Sequence, residues 1–188
     1  MSLQIYNSLS NQKEPFNPVH EGQASLYVCG PTVYSDSHLG HAKAYVSFDV
    51  ILRYLRFCGL KTLYVQNITD VGHLMGDADE GEDKLLKRAR ELNQEPMAVA
   101  ESYSRRHFEA MDLLGVIRPD ISPRATGHIP EQLEAIEKLL EHGLAYESNG
   151  SVYFEITKDP KYGELSNRKV EEMKSGARVK YSKSVPAR

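Results

Sequence analysis

The stretch from Ser25 to Ile68 constrains the fold most. Two short apolar segments rich in strand formers, Ser25-Leu26-Tyr27-Val28-Cys29 and Thr62-Leu63-Tyr64-Val65-Gln66-Asn67-Ile68, flank residues 41–58. Within 41–58, Tyr45, Phe48, Leu52 and Leu55 recur at helical spacing, and Gly59 follows where a helix closes. A two-residue turn joins antiparallel strands, whereas a crossover of helix length joins parallel ones. The segment therefore predicts a βαβ unit. Ligands of such sheets bind at the carboxyl ends of the strands. Cys29 ends the first strand and Asn67–Asp70 end the second, so these two places are expected to face one crevice.

Around this unit the pattern is mixed. Residues 11–23 carry Pro15, Pro18 and Gly22 and read as a loop. Asp83–Asn93 reads as a helix. A second helix starts at Pro96, with Ala100, Tyr103, His107, Met111 and Leu114 on one face. Pro119 and Pro123 punctuate a loop, and Pro130–His142 is a further helix closed by Gly143. Asn149-Gly150 between two short strand-like runs predicts a hairpin. The expected fold class is α/β, a Rossmann-like parallel sheet plus an α+β insertion. Its division lies near residue 118: residues 1–117 form the first half of a catalytic domain, and residues 118–188 an incomplete connective insertion.

Composition narrows the function classes. The net charge of −3 excludes a globally basic nucleic-acid binder. Basic residues do gather in Lys158–Arg188, where nine Lys/Arg against four acids give +5. No run approaches the ~18 apolar residues of a membrane span. Two cysteines cannot build a disulfide framework, so free thiols and a cytoplasmic location are expected.

The chemistry concentrates in Cys29-Gly-Pro-Thr-Val-Tyr-Ser-Asp-Ser-His38-Leu-Gly-His41. A helix that starts here, after a parallel strand, offers backbone N–H groups and a partial positive charge to an anion. His38 and His41 are three apart and can share one side of the first turn. Two imidazoles there suit a polyphosphate whose charge shifts during reaction. The same pair also reads as surface residues or a helix cap. Neither GxxxxGK[ST] nor GxGxxG is present. Cys29 reads either as a small buried hydrophobe or as a ligand, and Cys58 as core. The acidic run Asp77–Asp83 fails the EF-hand pattern, with Glu82 and Arg88 at its sixth and twelfth positions.

Taken together, Leu26-Tyr-Val-Cys-Gly-Pro-Thr-Val-Tyr34, His38-Leu-Gly-His41, Phe48-Asp-Val50 and Tyr64-Val-Gln-Asn-Ile-Thr-Asp70 resemble the cysteinyl-tRNA synthetases. Arg118-Pro-Asp120, Pro123-Arg-Ala-Thr126 and Gly176-Ala-Arg178 extend the resemblance over nearly the whole chain. It implies ATP-dependent activation of cysteine to the adenylate, followed by transfer to tRNA(Cys). It implies His38 and His41 as catalytic, with Pro31, Thr32, His38, Gly40 and His41 binding ATP (with Mg²⁺). Gly30, Thr32 and Thr69 would bind the amino acid. Cys29 would be the first ligand of a zinc ion that selects the soft thiolate of cysteine over serine. Residues from about 118 onward would lie by the acceptor end of the tRNA.

Departures accompany the resemblance. Gly72-His73 replace the two acids many relatives carry, which leaves the role of His73 open. The lysine-rich loop that holds the triphosphate, the later Cys, His and Glu zinc ligands and the anticodon-binding part do not occur in this sequence. The chain is therefore expected to be the N-terminal portion of a monomeric enzyme, weak or inactive alone, with an exposed sheet edge that favours self-association. Two other readings stand beside it. One is a ligase joining cysteine to an amino sugar in mycothiol synthesis. The other is a non-catalytic module that binds nucleotide, metal or tRNA without turnover.

Overall fold

The computed structural model describes residues 3–71 and 83–167. They fall into two compact units. One is Pro18–His128; the other comprises the described residues of Met1–Asn17 and Ile129–Arg188.

The Pro18–His128 unit is built on a parallel pair. Strand β3 (Gln23–Val28) aligns with β4 (Lys61–Gln66), from Gln23 opposite Lys61 to Val28 opposite Gln66. Helix α1 (Leu39–Phe57) is the crossover, so the βαβ expectation describes the structure. Its buried residues are Tyr45, Leu52 and Leu55, one stripe at helical spacing. Gly59, at φ +83°, takes the left-handed position that ends the helix. Cys58 caps α1 and is exposed, not core. At the last turn the apolar stripe has already ended with Leu55, and Cys58 falls outside it.

β4 is the middle strand. On its far side the Gln66 and Ile68 amides donate to the carbonyls of Ile121 and Pro123 at 3.0 and 2.8 Å. The Ala125 amide returns a bond to Ile68, and parallel bridges pair Val65 with Ile121 and Ile68 with Arg124. The segment that reads as a proline-punctuated loop thus lies along β4 as a third parallel element. This paired segment begins just after the division expected near residue 118, and the compact unit that contains both runs on to His128.

Helix α2 (Lys84–Leu92) is capped by Asp83, whose side chain accepts from the Leu85 and Leu86 amides. Helix α3 (Pro96–Leu113) buries Val99, Ala100, Tyr103, Ser104, His107 and Met111. Leu114, expected on that face, is the exposed C-cap, and Val116 packs in its place. One core cluster joins Val28, Tyr45, Leu52, Tyr64, Met111 and Val116. A second joins Val33 and Ile68 to α2 and α3 through Leu85, Ala89, Val99, Ala100 and Tyr103. Alternate residues of β4 and its continuation, Tyr64, Gln66, Ile68 and Asp70, are all buried. Tyr27 and Leu63 remain exposed.

The other unit holds two antiparallel hairpins and a helix. β1 (Gln4–Asn7) pairs with β2 (Gln12–Pro15), the latter inside the segment that reads as a loop. Both strands are largely exposed, so no apolar alternation betrays them. Helix α4 (Ile129–Glu141) leads through Gly143 to β5 (Ala145–Ser148) and β6 (Ser151–Phe154). Asn149 and Gly150, at φ 51° and 75°, form the turn that the Asn-Gly pair predicts. His73, residues 77–82 of the acidic run, Gly176-Ala-Arg178 and the end of the basic tail lie outside the described residues.

Candidate active site

The carboxyl ends of β3 and β4 are sewn together. The Gly30 amide donates to Asn67 Oδ1 at 2.9 Å. The Thr69 amide donates to the Pro31 carbonyl at 3.0 Å, and the Val33 amide to the Thr69 carbonyl at 3.2 Å. Thr32 and Thr69 form a parallel bridge. A Cβ at Gly30 would stand 1.6 Å from the Asn67 carbonyl oxygen, so only glycine allows this approach. Asp70 is buried and accepts from the Thr126 amide at 3.0 Å and its hydroxyl at 2.6 Å, which fixes the chain beyond the third parallel segment. Gly30, Pro31, Thr32 and Thr69 are therefore brought together.

The histidines form a reciprocal cap. His38 is the N-cap of α1, and its Nδ1 accepts from the Gly40 amide at 3.1 Å. His41 Nδ1 accepts from the His38 amide at 3.2 Å. Their ring centroids are 4.0 Å apart. Two amides at the helix start are thus occupied by imidazoles and not open to an anion. In exchange, each neutral ring that accepts at Nδ1 carries its proton on Nε2, so the cap leaves two Nε2–H donors. Burial, and then the charge of His38, holds His41 below the usual imidazole range, which favours the neutral form. A Cβ on Gly40 would meet the His38 ring at 2.8 Å, so this glycine makes room for the capping imidazole.

Tyr45 joins the two halves. Its hydroxyl donates to the Cys29 carbonyl at 3.3 Å, and its ring lies parallel to His41 with centroids 6.2 Å apart. Burial raises its pKa to about 12, with Cys29 and Tyr64 as smaller causes, so it stays a phenol donor. Cys29 itself is exposed, and among the described residues its Sγ reaches the Gly30 carbonyl, at 3.9 Å. Zinc takes about four ligands. Among the described residues no group of three or more His, Cys, Asp or Glu could hold a metal ion. These residues by themselves do not make a zinc site.

Tyr45, Asn67, Asp70, Ser37 and His107 were not among the site residues expected from sequence. Tyr45 and His107 enter the sequence reading only as members of helical stripes, and their polar groups within those stripes are the signal that could have found them. The partnerships of Asn67 and Ser37 span 37 and 70 residues and leave no local signal.

A parallel pair of strands joined through a histidine-capped helix defines an α/β class of protein. The chain belongs to the family of tRNA synthetases class I (C) catalytic domain, which matches residues 15–186. Among curated relatives, the cysteine–tRNA ligase of Chlorobaculum tepidum is 60% identical over 183 residues, covering 95% of this chain and 38% of that protein. A cysteine–tRNA ligase of Thermus thermophilus is 55% identical over 179 residues, covering 95% and 37%. The chain thus spans less than half the length of these relatives. Among solved structures, the leucyl enzyme of Agrobacterium radiobacter K84 (agnB2 LeuRS, in complex with tRNA and LeuAMS) superposes with a TM-score of 0.53 at 20% identity. That match covers 69% of this chain and 16% of that one, and it shows a shared fold. No helix of the described residues is long and apolar enough to cross a membrane.

Proposed function

We propose that this chain carries the ATP- and cysteine-binding part of a cysteine–tRNA ligase, on the first half of a Rossmann-like domain. In the reaction the cysteine carboxylate attacks the α-phosphorus of Mg²⁺-bound ATP and pyrophosphate leaves. The cysteinyl group then passes to the terminal ribose of tRNA(Cys). The observation that carries this reading is the reciprocal His38–His41 cap. Its two Nε2–H groups are donors fixed on one helix end, suited to phosphate oxygens that gain charge as pyrophosphate departs. Pro31, Thr32 and Gly40 complete the proposed nucleotide contacts.

Gly30, Thr32 and Thr69, brought together where the strands end, are proposed to hold the amino acid. Cys29 is proposed as one thiol beside its side chain; the described residues supply no further ligands for a zinc ion there. A cytoplasmic location and a monomeric parent protein accompany this reading. The relatives favour transfer to tRNA over transfer to an amino sugar.

The test is ATP titration of the chain by calorimetry, with cysteine-dependent pyrophosphate exchange as a second readout. His41→Ala is expected to weaken ATP binding about tenfold, the loss of one charge-assisted hydrogen bond. Affinity indifferent to both His38→Ala and His41→Ala overturns the assignment. The chain alone is expected to be weak or inactive in adenylate formation, and a stoichiometric adenylate burst would refute that part.

A further inference from the structure

Two consecutive residues of the loop before α1 are tied to two consecutive residues of α3. Asp36 Oδ2 meets Arg106 Nη2 at 2.7 Å, and Ser37 Oγ meets His107 Nδ1 at 2.9 Å. The first pair is about half exposed on both sides, and such surface pairs contribute little. The second is anchored on a buried ring, only 3% exposed, so it carries most of the hold.

His107 also touches the other histidine's support. Its ring packs edge-on against Tyr45, 5.2 Å between centroids at 76°, and Tyr45 in turn lies parallel to His41. His107 therefore reaches His38 through its neighbour Ser37, and His41 through Tyr45.

We propose that His107 is a positioning residue that locks the loop and the aromatic stack beneath the His38–His41 pair, so that both imidazoles keep one orientation. An apolar residue of the same size would fill this part of the core with less penalty. Nε2 of His107 is buried with no hydrogen-bond partner among the described residues, and orphaned polar atoms of this kind are costly. Only the Nδ1 bond to Ser37 sets histidine apart from phenylalanine here. Burial, and then the charge of His41, lowers its pKa to about 4, so it acts as a neutral hydrogen-bonding ring. The consequence for ATP rests on the function proposed above; the consequence for the imidazoles does not.

The experiment is long-range ¹H–¹⁵N correlation on the ¹⁵N-histidine-labelled chain, above the imidazole titration range, together with ATP titration. In the unmodified chain His38 and His41 are expected as single Nε2–H tautomers. Ser37→Ala and His107→Phe are each expected to shift both toward a tautomer mixture and to weaken ATP about three- to tenfold, the range of one net hydrogen bond. The double variant should lose no more than the larger single, and His107→Asn, which keeps a polar atom near the Nδ1 position, should recover most of the loss. Unchanged His38 and His41 signals in Ser37→Ala and His107→Phe, with only a lower melting temperature, overturn the proposal. If His107→Phe does not fold, Ser37→Ala decides alone. Altered tautomers with unaltered ATP affinity support the positioning role and count against the nucleotide reading of the pair.

Discussion

Lowering the pH from 7 to 4.5 protonates residue 107 almost fully in the unfolded chain and only to about a quarter in the folded one. Its imidazole has an ordinary value of 6.5 when solvated and about 4 in its buried place on α3, held down first by burial and then by the charge of His41. Folding therefore favours the neutral ring. The stability this leaves is fully present above pH 6.5 and is lost as the pH falls toward 4. With those two values the linkage relation puts the loss at pH 4.5 at about 2 kcal/mol, and about 3 kcal/mol once both states are protonated. That is a large part of the ~5–15 kcal/mol of an ordinary domain.

Other groups titrate nearby in pH. His41 shifts in the same direction, and Glu101 and Asp112 are lowered by their arginine partners, so the chain as a whole loses stability in acid. The comparison with His107→Phe isolates the one residue. The chain has no tryptophan, so urea melts would be followed by circular dichroism at pH 7 and 4.5. At pH 7 the variant exchanges one hydrogen bond for the removal of an orphaned nitrogen, and is expected within about 1 kcal/mol of the unmodified chain. Between pH 7 and 4.5 it should lose about 2 kcal/mol less. Equal losses, within about 0.5 kcal/mol, would refute the argument that the buried ring stays neutral.

Three further outcomes follow from the site. Gly30→Ala drives a Cβ into the Asn67 carbonyl, backbone against backbone, and should cost at least about 2 kcal/mol in urea melts; an unchanged midpoint would contradict the close approach of the strand ends. Gly40→Ala displaces only the His38 ring. The helix gains about 0.5–1 kcal/mol from alanine and loses about 1 kcal/mol with the cap, so stability should barely move while the His38 tautomer changes in the NMR spectrum. Asp70→Ala leaves the Thr126 amide and hydroxyl without their acceptor and should cost about 2–3 kcal/mol, with faster amide exchange at Thr126; retained protection there would argue against the bond.

Much of the fold is legible from local pattern alone. Tyr45, Leu52 and Leu55 mark the buried stripe of α1, Gly59 ends it, and Asn149-Gly150 sets the turn between β5 and β6. These features depend on neighbours a few residues away, where helical period, caps and positive φ act. The His38–His41 spacing also belongs to this local layer, which is why the pair could be read either as a cap or as a site; in the structure it is a cap whose outer nitrogens remain donors.

What the sequence did not decide depends on partners far along the chain. Residues 120–125 look like a loop because Pro119 precedes them and Pro123 interrupts them, yet they pair with β4 because its edge offers donors and acceptors to an extended segment alongside. The β1–β2 hairpin is hidden because neither strand has an apolar face to announce it. Cys58 reads as core by composition and is exposed because the buried stripe of α1 ends one turn earlier. Gly30 against Asn67 and Ser37 against His107 are contacts across 37 and 70 residues, made only when sheet and helices pack. Sequence alone determined which residues carry ligating and proton-exchanging groups, because chemistry belongs to residue type and short spacing. Tertiary packing decided how those groups are buried and held, because their long-range partners come from distant parts of the chain.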